Sequence, residues 1–222
     1  MDNSLNQLTY EKMKRDILSF ELKPGETVSA AKVAERYLVS RTPARETLVK
    51  LETEGLVEII PQSKTVISKI DLSKAKQEWF IRYSLETAMT DDLFKNLKKS
   101  DIAELKKNNQ EMIKLCHGKL DNENSYLYML YDNAFHAVIY RVARQELAAN
   151  VISNTMAHYS RLRFLTDHDD YYIKRTVSGH AELIELLENN DLAGYKKSIE
   201  THLQHILNDI PDMEKLYPDY FA

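Results

Sequence analysis

The stretch from Ser29 to Leu56, SAAKVAERYLVSRTPARETLVKLETEGL, leaves few folds open to this chain. Ala30 to Arg36 reads as a short helix with Val33 and Ala34 apolar, and Tyr37, Leu38 and Val39 read as a tight turn. Ser40 falls where an N-cap belongs, since its hydroxyl can accept a bond from an unpaired helix amide. Pro43 lies in the first turn of the second helix, where a missing N–H costs little. Leu48, Leu51 and Leu56 point to a core, while Arg41, Thr42 and Arg45 gather at the exposed N-terminal end. Two helices joined by a tight turn, the second opening on basic and hydroxyl side chains, is how a helix-turn-helix addresses the DNA major groove.

Around this core the pattern continues. Leu5 to Ser19 predicts a helix, with Leu8, Met13, Ile17 and Leu18 near helical spacing, and Pro24-Gly25 predicts a turn that reverses the chain. Gly55 ends the second helix as a C′ residue. Leu56 to Ile60 and Thr65 to Ser68 read as paired strands, with Pro61-Gln62-Ser63-Lys64 as the tip of a wing. LKPGETVSAAKVAERYLVSRTPARETLVKLETEGLVEI resembles the winged-helix N-terminal domain of the GntR family of bacterial transcription regulators, whose recognition helix opens Ser-Arg-Thr-Pro-x-Arg-Glu. The resemblance runs from about Tyr10 to Ser68. It implies double-stranded DNA as partner, with Ser40, Arg41, Thr42, Arg45 and Lys64 as contacts. Three positions depart from the family pattern: Leu38 replaces the turn Gly, the wing tip has no Gly, and Ala31 stands where an Arg is common. A left-handed backbone at Leu38 would cost roughly 1–2 kcal/mol, so a remodelled turn is expected there.

Composition bounds the rest. In 222 residues, 5 Gly and 5 Pro argue for a mainly α chain. The net charge of −4 gives no bulk hint of nucleic acid, so DNA binding rests on local clustering of Arg36, Arg41, Arg45, Lys50 and Lys64. A single cysteine, Cys116, fits a reducing compartment. The N-terminus MDNSLNQLTYEKMK does not read as a signal peptide, and no apolar run approaches the ~20 residues of a membrane helix. A cytoplasmic protein without a membrane partner is expected.

Ile70 to Ser73 reads as a linker and cap, dividing the chain into a reading domain, 1–70, and a second domain, 71–222. Beyond the linker, helices are expected at about 72–97, 101–117, 123–142, 145–165, 170–189 and 192–209, with an aromatic tail from Pro211. Six helices with short loops make an antiparallel bundle. Asp132 and His136 lie four apart on one helix face, among Tyr131, Phe135, Val138 and Ile139; His180 and His202 lie on later helices beside apolar residues. A carboxylate and imidazoles inside an apolar bundle need partners or a metal. A single buried His is more often a hydrogen-bonded core residue, and periodicity alone does not choose among seven histidines.

The choice comes from a second resemblance. From about Leu72 to Ile210 the chain is similar to the FCD ligand-binding domain of the FadR subfamily within GntR, which carries Asp-x-x-x-His, a His about 44 residues later and another about 22 after that. Asp132, His136, His180 and His202 match those intervals. The resemblance implies a divalent transition metal, zinc or nickel, with a small carboxylate effector completing its coordination. It also implies a homodimer on a palindromic operator, and repression released by ligand. Arg82 matches an Arg that would pair with the effector, though an ion pair with Glu86, four residues on, is equally open. His205 reads as solvent-facing, and His117, His158 and His168 as surface residues near helix ends. The tyrosines read as core and rim. Two alternatives stand beside this reading: a metal hydrolase built on the same four residues, which lacks an evident Glu as general base, and a metal-free sensor of acyl thioesters. The regulator reading leaves the chain without enzymatic activity.

Overall fold

The computed structural model describes residues 2–116, 121–166 and 170–222. In the N-terminal unit, α1 (Asp2–Leu18) sits against α2 (Ala30–Tyr37) and α3 (Arg41–Thr53). Its buried stripe is Tyr10, Met13 and Ile17, so Leu8, expected inward, falls off the stripe and is 46% exposed. Ser29 caps α2 through Lys32 N at 3.2 Å. Ser40 occupies the N-cap position of α3 but makes no side-chain capping bond, contrary to expectation. The reason is Pro43: it is the third helical residue, and it has no N–H to offer the hydroxyl. Gly55 takes φ 77° after α3, in the left-handed region that favours glycine.

The wing is β2 (Val57–Ile60) paired antiparallel with β3 (Lys64–Ile67). A two-residue β1 (Thr27–Val28), not anticipated from sequence, adds to the other edge of β3. Leu38 does not remodel the turn. It adopts the left-handed conformation itself, at φ 57° and ψ 47°, while 91% exposed. The αL geometry lets Val39 N reach Ala34 O at 3.0 Å, closing the helix end. Since the exposed leucyl side chain returns no burial energy, Leu38→Gly should raise stability by about 1 kcal/mol, read as a higher urea midpoint with an unchanged slope.

The second unit is all helix: α4 (Leu72–Ala88), α5 (Thr90–Asn96), α6 (Lys99–Leu115), α7 (Asn122–Val142), α8 (Glu146–Thr155), α9 (Ala157–Thr166), α10 (Asp170–Glu188) and α11 (Leu192–Leu216). Two of the six expected helices are broken, at Met89 and Met156. Both methionines are buried, so each corner is anchored in the core. The last helix runs through Pro211 to Leu216 because its apolar stripe, Ile206, Ile210 and Met213, continues past the proline. His117 and His168 lie outside the described residues.

The stretch read as a linker opens on a residue anchored in the core. Ile70 is fully enclosed and forms a parallel bridge with Phe221, with Ile70 N donating to Tyr220 O at 2.8 Å and Ala222 N to Ile70 O at 3.0 Å. Asp71 caps α4 through Lys74 N. One hydrophobic core runs from Met13 and Leu51 of the reading head through Ile70 to Phe164 and Met213 of the bundle. His158, expected at the surface, is buried at this junction, where its Nδ1 accepts from Asp71 N at 3.0 Å.

Candidate functional site

At the start of α3, Ser40, Arg41, Thr42 and Arg45 are all exposed, and Lys64 is exposed on the wing. Helix α3 buries Ala44, Thr47, Leu48 and Leu51, and that orientation turns Arg41 and Arg45 to solvent. Neither arginine has a hydrogen-bond or ion-pair partner among the described residues. The other cations of the cluster are engaged. Arg36 pairs with Asp16 at 2.9 Å, and Lys50 lies 3.5 Å from the centroid of the Tyr10 ring. The local positive surface is therefore narrower than composition suggests: Arg41, Arg45 and Lys64.

In the bundle, α7 brings Asp132 and His136, α10 brings His180 and α11 brings His202 to one buried point. One ring nitrogen from each of His136, His180 and His202 lies within 4.8 Å of the others. Phe135 stacks on His180 at 3.9 Å between centroids, fixing that ring. Asp132 stands at the edge of the trio, with Oδ1 3.4 Å from His180 Nε2. Its other oxygen accepts from Arg163, and Arg82 Nη2 lies 3.9 Å from it. Burial pushes the Asp132 carboxyl up, but Arg163 foremost, with His136, His180 and Arg82, holds it well below the usual carboxylate range.

Arg82 makes the ion pair that was one of its two expected roles, with Nε donating to Glu86 Oε1 at 2.7 Å, and it also lines a cavity beside His136. Glu86 pairs with Arg82 as the sequence allowed, but it has a second contact that the sequence did not suggest. It is fully buried, with Oε2 2.6 Å from His136 Nδ1. Burial pushes its carboxyl up, yet His136 and Arg82 outweigh this and bring it down to about 2. An ionised Glu86 can only accept, so Nδ1 of His136 carries a proton toward it. Nε2 of His136, both nitrogens of His180 and Nδ1 of His202, all buried, have no hydrogen-bond partner among the described residues. Burial pushes the His180 imidazole down to about 3, and His202 well below its ordinary range, so both rings are neutral at neutral pH.

Imidazole nitrogens that converge from three helices without hydrogen-bond partners among the described residues are the donor set that a borderline-soft divalent ion takes, and a carboxylate behind one of them is the usual orienting partner. The residues present therefore fit such an ion. Glu86 is also the nearby glutamate a hydrolase would need, but Arg82 and His136 occupy both its oxygens. Arg163, too, escaped sequence reading; nothing in RLRFL marks it apart from other surface arginines. Glu86→Gln should lower zinc affinity by roughly 10–100-fold, read by competition with a chromogenic chelator. Gly179 contributes through its missing side chain, because a Cβ there would lie 2.8 Å from His202 Nδ1.

Residues 79–205 match the FCD domain, and residues 5–67 match the model for bacterial regulatory proteins of the gntR family. The chain belongs to the GntR family, in the branch that carries an FCD domain. It is a transcription regulator and not an enzyme. Among curated relatives of this GntR regulator, the transcriptional repressor RspR of Escherichia coli K12 is 26% identical over 219 residues, covering 98% of this chain and 94% of the relative. The gluconate operon transcriptional repressor of Bacillus subtilis is 23% identical over 214 residues, covering 93% and 85%. The solved structure of E. coli McbR/YncC superposes with a TM-score of 0.76 at 19% identity, covering 96% of this chain and 98% of that one. A GntR transcriptional regulator from Rhodococcus sp. RHA1 gives 0.75 at 15%, covering 92% and 98%. These two likenesses establish the fold. No helix among the described residues is long and apolar enough to cross a membrane.

Proposed function

We propose that this regulator is a cytoplasmic repressor that binds a palindromic operator as a homodimer and leaves it when a small carboxylate occupies the bundle. Arg41 and Arg45 reach base edges or phosphates in the major groove; Ser40, Thr42 and Lys64 hold phosphates. His136, His180 and His202, with Asp132 beside them, hold a divalent transition ion, zinc or nickel. Bound there, the ion would supply a Lewis-acid centre for an anionic oxygen. Arg82 supplies the positive field that orients the effector carboxylate, and Glu86 fixes Arg82 and His136 relative to each other. The E. coli and B. subtilis relatives, both transcriptional repressors, favour repression as the sign.

The observation that carries this reading is the set of converging, buried imidazole nitrogens that have no hydrogen-bond partner among the described residues, beside Arg82 and Arg163. Helix α9 offers the route to the reading head. Tyr159 and Arg163 line the cavity, whereas Arg161, between them, donates to Ser68 O and to Lys69 O. A shift of α9 on the ligand side thus bears on the chain joining wing to bundle. Coupling of this kind is typically ~1–3 kcal/mol, enough to change operator occupancy severalfold or more. The test is metal analysis of protein purified without chelator. Close to one zinc or nickel per chain, lost in the double variant His180→Ala/His202→Ala, is expected; a metal-free wild type that also fails to take up Zn²⁺ or Ni²⁺ overturns the site.

A further inference from the structure

A cavity of about 420 Å³ beside the histidine site is larger than a small acid needs and is not confined to the bundle. Arg82, Glu86, His136 and Arg163 contribute to its wall, so it reaches one side of the site above, while Asp132, His180 and His202 do not line it. Met129, Ile152 and Met156 give it an apolar surface. Leu18, at the end of α1, and Leu56, between α3 and the wing, also line it, and both belong to the reading head. Lys14 and Glu54 of the same unit line it as well and are tied to each other at 2.7 Å, so neither charge calls for a ligand. Cavities of ~300–1,000 Å³ with mostly apolar walls and a few convergent polar groups are those that take organic ligands with a hydrophobic body.

We infer that the effector is an amphipathic carboxylate, its acid group held beside Arg82 and His136 and its apolar body filling a chamber whose wall is partly the reading head. This rests on the carboxylate reading of the site and narrows it: a two- or three-carbon acid would satisfy the polar groups and leave the apolar wall bare. It also makes the ligand itself a contact between the domains, because Leu18 and Leu56 can touch the apolar body only while the head holds the position seen here. Head orientation and ligand affinity are then linked without relay through the bundle.

Calorimetric titration of the full-length chain, loaded with stoichiometric Zn²⁺, with straight-chain acids from acetate to decanoate tests this. Affinity should rise roughly fourfold per added methylene until the chamber is filled and then level off. Amide exchange across Leu18 and Leu56 should slow with octanoate but not with acetate. Ala134→Phe, which adds a ring to the α7 side of the chamber, should abolish the gain with chain length. If acetate binds and longer acids bind no better, the inference fails while the carboxylate site stands. If no acid binds, both fail. A gain with chain length that leaves exchange in the reading head unchanged overturns the shared wall.

Discussion

Arg45→Ala should weaken operator binding by about 30-fold or more while leaving thermal unfolding unchanged. Arg45 is exposed, on the first turn and a half of α3, and unpaired among the described residues. Its removal therefore costs the fold nothing. A bidentate Arg–guanine pair contributes about 1–3 kcal/mol, and a dimer on a palindrome loses it twice. The salt dependence separates roles. Lys64→Ala should reduce the slope of log affinity against log salt by roughly one per half-site, the signature of a lost phosphate contact. Arg45→Ala should instead flatten the preference between operator and unrelated DNA. Fluorescence anisotropy with both duplexes at two salt concentrations reads these effects, and an unchanged operator affinity would remove α3 from its assigned role.

Arg161→Met should destabilise the protein by about 2–4 kcal/mol, although residue 161 touches neither DNA nor the histidine site. Its side chain is fully buried and donates to Ser68 O and Ser68 Oγ, to Lys69 O at 3.4 Å, and toward His158 Nδ1 at 3.1 Å. Methionine keeps much of the volume but strands those acceptors, and each unsatisfied buried group costs about 1–3 kcal/mol. The part of this offset by no longer burying a charge limits the total. Zinc affinity should be unaffected, whereas coupling between ligand and operator should fall. The adjoining imidazole gives a pH signature. Burial, then Arg161, pushes His158 from 6.5 down to about 4, so the folded chain binds fewer protons than the unfolded chain between those values. The stability this represents is present above about pH 6.5 and is lost as pH falls toward 4. Unfolding free energies from urea titrations at pH 7 and pH 5 should differ by on the order of 1–2 kcal/mol less in His158→Gln than in the wild type.

The reading head was legible because its determinants are local. The turn after α2, Gly55 after α3 and the inward leucines are each set by neighbours a few residues away. Where local reasoning failed, another local rule had overridden it, as Pro43 did to the Ser40 cap. In the bundle, the resemblance to the FCD domain, not spacing alone, drew Asp132, His136, His180 and His202 together as candidates, and three helices do bring the imidazoles to one point. The supporting residues were not legible, because their meaning depends on packing across many residues. Glu86 reads in sequence as the i+4 partner of Arg82, and only the approach of α7 to α4 sets it against His136. Likewise Ile70 reads as linker until Phe221 is placed beside it, and His158 reads as surface until Asp71 is. The breaks at Met89 and Met156 interrupt helical patterns that sequence alone carries straight through.

The most direct test of the account is anomalous diffraction at the zinc or nickel edge from crystals of the full-length protein grown with that metal. One strong peak per chain is expected among His136, His180 and His202, with any bound acid reaching it from the side of Arg82. Peaks confined to surface histidines, with the three buried rings hydrogen-bonded to protein or water instead, would contradict it.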